Sequence, residues 1–120
     1  MQYRKPNALL EWCEAERYPQ IFTSFDQWVQ ALDNGVVINP KGLNISNTDY
    51  DESLSSEELL RVYESLCEER RGRVNAMFKT EQIDLPIVMF HNGVYELIGG
   101  NTRLVKMGLG FEMQVLLISI

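Results

Sequence analysis

The sequence predicts an α+β domain in which a helical N-terminal half, about residues 7–78, packs on a small mixed sheet formed by about residues 85–120. Three observations predict it. Apolar residues recur at helical spacing from Pro6 to about Phe78 and at strand spacing from Leu85 onward. Asn92-Gly93 lies between two apolar runs, the strongest short signal for a two-residue hairpin. After the second run, Gly99-Gly100-Asn101-Thr102-Arg103 reads as a strand-to-helix corner, followed by a short helix and a last apolar strand. At 120 residues the chain forms one domain with a core of its own.

The helical half divides at its punctuation. A first helix is expected from Asn7 to Arg17, with Leu9, Leu10 and Cys13 as its buried side and Pro19 ending it. A second begins at Ser24, which has capping-box spacing to Gln27, and presents Phe25, Trp28, Val29 and Leu32 on one face until Asn34-Gly35. Val36 to Pro40 reads as a short strand ended by proline, and Lys41 to Ser53 as a polar connection. A third helix starts at Ser55, with capping-box spacing to Glu58. It places Leu59, Tyr63, Leu66, Cys67, Val74, Met77 and Phe78 along one stripe, with Gly72 as its weak point.

In the C-terminal half, Ile87–Phe90 and Val94–Ile98 are the hairpin strands. Thr102 to Met107 is a short helix with Asn101 as its N-cap and Gly108-Leu109-Gly110 as its stop. Met113 to Ile120 is apolar on both faces apart from Gln114 and Ser119, which places it inside a sheet. Because it is the last strand, it is also expected to leave an edge open for pairing with a second copy, a homodimer.

Composition narrows the function classes. A hydrophobic share of 45% and a charged share of 23% are those of an ordinary globular domain. No apolar run approaches the roughly 18 residues of a membrane helix, and no apolar stretch follows the N-terminal Met1 to Pro6, so a cytoplasmic location is expected. A net charge of −6 argues against an extensive nonspecific nucleic-acid footprint, which works through clustered Lys and Arg. The one dense basic cluster, Arg70, Arg71 and Arg73, reads as a solvated helix end complementing a C-terminal dipole, with a local basic site as the other reading. Cys13 and Cys67 lack metal-ligand spacing and are expected to be reduced thiols in small apolar roles. His91, the only histidine, sits beside the hairpin turn, where exposure is expected and no Asp, Glu or Cys partner is fixed by spacing.

The corner at Gly99 to Arg103 is the candidate site. Two glycines permit a sharp turn and close approach of backbone to a ligand, and a helix start directs free N–H groups at whatever the turn holds. Phosphate is the commonest occupant. Arg103 adds a planar fork matching two phosphate oxygens. In the purely structural reading, Gly99 and Gly100 serve the corner, Asn101 caps, and Arg103 pairs with an acid such as Glu96 or Glu112.

Pro86-Ile87-Val88, the hairpin, Tyr95-Glu96-Leu97-Ile98, the Gly-Gly-Asn-Thr-Arg turn, Gly108-Leu109-Gly110 and the closing strand together resemble the core of the ParB/sulfiredoxin-like fold. Gly100 and Arg103 match both the Gly-Glu-Arg-Arg box of ParB proteins and the Gly-Gly-Cys-His-Arg of sulfiredoxins, and Gly99 matches the second. Asn101 stands where sulfiredoxin has its nucleophilic cysteine, and an amide cannot serve as that nucleophile, so sulfiredoxin chemistry is excluded. Thr102 stands where these families carry a basic residue, which lowers the positive charge of the turn. The resemblance implies a nucleotide, ATP or CTP, carried with Mg, at Gly99, Gly100, Asn101, Thr102 and Arg103. It is closest to small stand-alone phage ParB-like proteins labelled as nucleases, which implies the cytoplasm of a bacterial host.

If the chain is an enzyme, phosphoryl transfer or phosphodiester hydrolysis is the expected class, with Arg103 stabilising phosphate charge and Glu96, on the strand feeding the turn, as the acid-base residue. Glu81 and Asp84 are further candidates for a proton or a divalent metal. The competing reading is a small acidic, non-catalytic phage protein whose helical half docks a host or viral protein through Trp12, Phe22, Phe25 and Trp28. A third reading, DNA mimicry, rests on the acidic run Asp49, Asp51, Glu52, Glu57 and Glu58.

Overall fold

A computed structural model describes residues 1–120. In chain order the elements are β1 (Gln2–Arg4), α1 (Trp12–Ala15), α2 (Phe25–Asp33), β2 (Val36–Ile38), β3 (Ile45–Ser46), α3 (Ser56–Ser65), α4 (Glu68–Lys79), β4 (Gln82–Asp84), β5 (Ile87–His91), β6 (Val94–Gly99), α5 (Asn101–Met107) and β7 (Val115–Ser119). The class is α+β, as expected. Five strands form a mixed sheet in the order β2-β7-β5-β6-β3, and β1 pairs with β4 in a separate parallel ribbon.

Alternation along the strands explains why helices cover both faces. Ile87, Met89, Ile98, Leu116 and Ile118 point to one side, where Ala15 of α1 and Trp28 and Leu32 of α2 close over them. Val88, Leu97 and Val115 point to the other, against Val74 and Phe78 of α4 and Leu104 and Met107 of α5. Each fully buried aliphatic side chain contributes roughly 1.5–3 kcal/mol, so β5 and β7, buried on both faces, hold the layers together. The apolar character of β7 is therefore that of an interior strand, antiparallel to β2 and parallel to β5.

That position corrects the expected open edge. The C-terminal strand has a neighbour on each side, and the sheet ends instead at β2 and β3. The hairpin forms as expected, with Asn92 and Gly93 both at positive φ. Between Val88↔Leu97 and Ile87↔Gly99 the pairing shifts by one residue, a bulge that bends the end of β6 into the Gly99-Gly100 corner.

The helical half departs from expectation at its start and its middle. Only Trp12–Ala15 is helical near the N-terminus, and the residues turned inward are Ala8, Trp12, Ala15 and Tyr18. Leu9, Leu10 and Cys13 are exposed. The large rings decide the orientation: Trp12 packs edge-on against Phe25 with centroids 5.5 Å apart, and Ala15 is small enough for close approach to the sheet. The indole of Trp28 donates to the Ala8 carbonyl at 2.9 Å, which fixes the turn before α1.

The long helix expected from Ser55 starts with its full capping box but breaks at Leu66-Cys67, where the backbone is extended, and not at Gly72, which is accommodated on the exposed side of α4. The break is held by Arg71, whose Nε donates to the Leu66 carbonyl at 3.0 Å, and by the Tyr63 hydroxyl, which donates to Asn75 Oδ1 at 2.5 Å. It lets Leu59 and Tyr63 pack on Val105 of α5 while Val74 and Phe78 reach the sheet. Cys67 lies exposed at the head of α4, so neither cysteine has the apolar role expected of it.

Candidate functional site

The corner between β6 and α5 is built by glycine geometry. Gly100 sits at φ 93°, and a Cβ there would lie 2.8 Å from the Cα of Pro86, so both conformation and space exclude a side chain. A Cβ at Gly99 would stand 3.2 Å from Oε2 of Glu11 and from Cγ of Glu14. The near side of the turn is thus covered by the segment around α1.

Gly100, not Asn101, occupies the cap position of α5. Asn101 is the first helical residue, and its side chain works sideways. Its Oδ1 accepts from the Thr48 hydroxyl at 2.7 Å and the Asp49 amide at 2.8 Å, while Nδ2 donates to Asp49 Oδ2 at 2.8 Å. The amide therefore staples the connection after β3 to the turn. Thr102 is buried.

Arg103 is 7% exposed and engaged at both terminal nitrogens: Nη2 donates to Oε1 of Glu11 at 2.9 Å and Nη1 to the carbonyl of Asp84 at 3.0 Å. The fork that sequence analysis assigned to a phosphate holds the chain's own carboxylate. Its partner is Glu11, not Glu96 or Glu112.

A groove runs beside this corner, in two lobes of about 450 Å³ each that share Glu14, Arg70, Gly100 and Asn101. The polar lobe adds Arg17, Asn47, Thr48 and Asp49. The other has Leu10, Val74 and Met77 on its wall with Glu11, Arg73 and Arg103. The ion pairs Arg17–Glu14 at 3.3 Å, Arg103–Glu11 at 2.9 Å and Arg4–Asp84 at 3.0 Å neutralise most of the surrounding charge. Arg70 and Arg73 form no ion pair and make no side-chain hydrogen bond, and both face the groove from the first half of α4. Their place near the helix start corrects the expectation that they complement a C-terminal dipole.

Of the remaining candidates only Asp84 lines the groove, in its second lobe. Glu96 does not line the groove; its carboxylate accepts from the Tyr18 hydroxyl, and burial together with this bond pushes the Tyr18 phenol up to about 12. Asp84 is tied to Arg4, and Glu81 is an exposed turn residue at φ 59°. His91 is partly buried, not exposed as expected; its Nδ1 lacks a hydrogen-bond partner, and it stands at the hairpin end, outside the groove. No three His, Cys, Asp or Glu side chains gather closely enough to hold a metal ion.

Phe22 and Trp28 are core residues, 3% and 0% exposed, while Leu9, Leu10, Phe25, Val36, Val37 and Leu60 are the large apolar residues that the helical half leaves exposed. In the acidic run, Asp51 accepts from Ser53, Glu52 from the Gly42 amide, Glu58 from the Ser55 amide, and Asp49 from Asn101, so these carboxylates organise turns and caps.

Sequence reasoning named Asp49, Arg70 and Arg73 without placing them at the turn, and missed Glu11, Glu14, Arg17, Asn47 and Thr48. Only the density of the arginine cluster carried a local signal. No protein-family model, curated protein or solved structure matches the chain.

Proposed function

We propose that the chain is an anion-binding domain whose groove takes a phosphate-bearing ligand, with a nucleotide such as ATP or CTP, carried with Mg, as the leading candidate. The observation that carries this reading is the pair of uncommitted guanidiniums, Arg70 and Arg73, facing the Gly100-Asn101 corner on a chain of net charge −6. An unpaired arginine in a concave, partly apolar site favours an anion with a planar or aliphatic body, because the guanidinium supplies both a donor fork and a stacking face. Leu10, Val74 and Met77 offer the apolar floor, and Asn47, Thr48 and Asp49 offer polar groups for hydroxyls. The likeness of residues 86–120 to ParB-like domains points to the same ligand class. A catalytic form of the reading, phosphoryl transfer or phosphodiester hydrolysis, draws its base from Asp49, which lines the groove, in place of Glu96.

Calorimetric titration with ATP, CTP and short oligonucleotides, with and without magnesium, tests the proposal. Saturable binding to the wild type, weakened at least about tenfold in the Arg70→Ala/Arg73→Ala double variant, is the expected result, since a charge-assisted bond contributes about 1.5–3 kcal/mol. A folded wild type that binds none of them overturns it. The second reading, a protein-docking module, is favoured by the exposure of Leu9, Leu10 and Phe25.

A further inference from the structure

We infer that Glu11 is an internal counter-anion that closes the Arg103 end of the groove and is exchanged for the ligand's own anionic group on binding. The inference rests on the anion-binding reading and deepens it, by adding the device that governs access to the inner half of the site. Glu11 lies 92 residues from Arg103 in sequence, and its Oε1 takes the guanidinium contact that a bound anion would make at this corner. Oε1 accepts from the buried guanidinium at 2.9 Å, and Oε2 stands 3.2 Å from where a side chain at Gly99 would begin.

The Glu11 side chain has staggered rotamers open to it without any shift of its backbone. Trp12, Ala15 and Tyr18 pin the segment to the core, so opening the site needs only a rotation of the Glu11 side chain. Its neighbour Leu10 is exposed, and Glu11 itself lines the same lobe as Arg70 and Arg73. The departing carboxylate therefore meets two unpaired cations at once, while Arg103, too buried to stand unpaired, accepts the incoming anion. The groove has two arrangements of the same charges, and a ligand selects between them by its greater affinity for the open one.

The arrangement also sets a ligand preference. An anion that merely replaces one negative charge at Arg103 gains little over Glu11, whereas a polyanion spans Arg103 and the outer arginines together. Inorganic pyrophosphate is accordingly the probe, titrated into wild type, Glu11→Gln and Glu11→Gln/Arg103→Lys.

Glu11→Gln is expected to bind pyrophosphate at least about tenfold more tightly than wild type, and to gain more melting temperature from saturating pyrophosphate, since binding to the folded state alone stabilises it. The double variant, which keeps the charge and loses the planar fork, is expected to lose that gain. Equal affinity of wild type and Glu11→Gln overturns the counter-anion and leaves the outer arginine site standing. Absence of binding to both folded proteins overturns the anion-binding reading itself. Should Glu11→Gln fail to fold, Glu11→Asp, which keeps the charge and shortens its reach, is expected to bind more tightly than wild type, and unchanged affinity there overturns the inference equally.

Discussion

The two ends of the groove use the same residue type in opposite ways. At the inner end Arg103 is buried, paired with Glu11 and bonded to the Asp84 carbonyl. At the outer end Arg70 and Arg73 stand exposed on α4 with no partner. A guanidinium beside a glycine turn thus belongs to the fold or to a ligand according to what already satisfies it. Spacing along the chain does not report that.

Breaking the inner end has the largest expected effect. Arg103→Ala leaves the Glu11 carboxylate, whose side chain is 15% exposed, without its partner and the Asp84 carbonyl without a donor. A loss of about 3–5 kcal/mol in chemical denaturation is expected. Gly100→Ala attacks the same corner through the backbone, forcing a side chain onto φ 93° and into Pro86, and is expected to cost roughly 1–3 kcal/mol by the same measurement. Arg70→Ala/Arg73→Ala sharpens the contrast from the other side. Its unfolding free energy is expected to stay within about 0.5 kcal/mol of wild type per substitution, because exposed side chains without partners add little to stability.

A further effect is one of pH, and it checks the assignment of Glu96 to the fold. Tyr18 titrates at about 12 when folded against 10.0 for a free phenol, so between those values the unfolded chain gives up a proton that the folded one retains. Folded stability therefore falls as pH rises above 10. Tyr18→Phe is expected to flatten that decline and to remove the highest-pH component of the tyrosinate absorbance titration.

Much of the C-terminal half was legible because its signals are local. Asn92-Gly93 dictates its turn by φ and the apolar run of β7 dictates burial on both faces, and in the helical half the Ser24 and Ser55 caps likewise name their own helix starts. What was not legible depends on partners distant in sequence. Periodicity marks Leu9, Leu10 and Cys13 as well as it marks Ala8, Trp12 and Ala15, and only the presence of Phe25 and Trp28 decides which set turns inward. The break at Leu66-Cys67 has no glycine or proline and is set by Arg71 and Tyr63 reaching across it. Gly99, Gly100 and Arg103 were found from sequence as a corner, but the carboxylate that meets them comes from Glu11, which no motif connects to residue 103.

The interior position of β7 has a consequence for how the molecule is made. Val36 pairs with Leu117, and Ile87 with Leu116, so the strand that joins β2 to the hairpin follows both of them in chain order. Until residues 115–119 leave the ribosome, β2 and β5 present unsatisfied backbone to each other across an empty lane. The nascent chain then carries an apolar hairpin with one bare side, the kind of surface that holdase chaperones cover. Pairings of such long sequence separation are slow to form. A chain stalled short of β7 is therefore an aggregation hazard rather than a partly working domain, and quality control would meet it in that state.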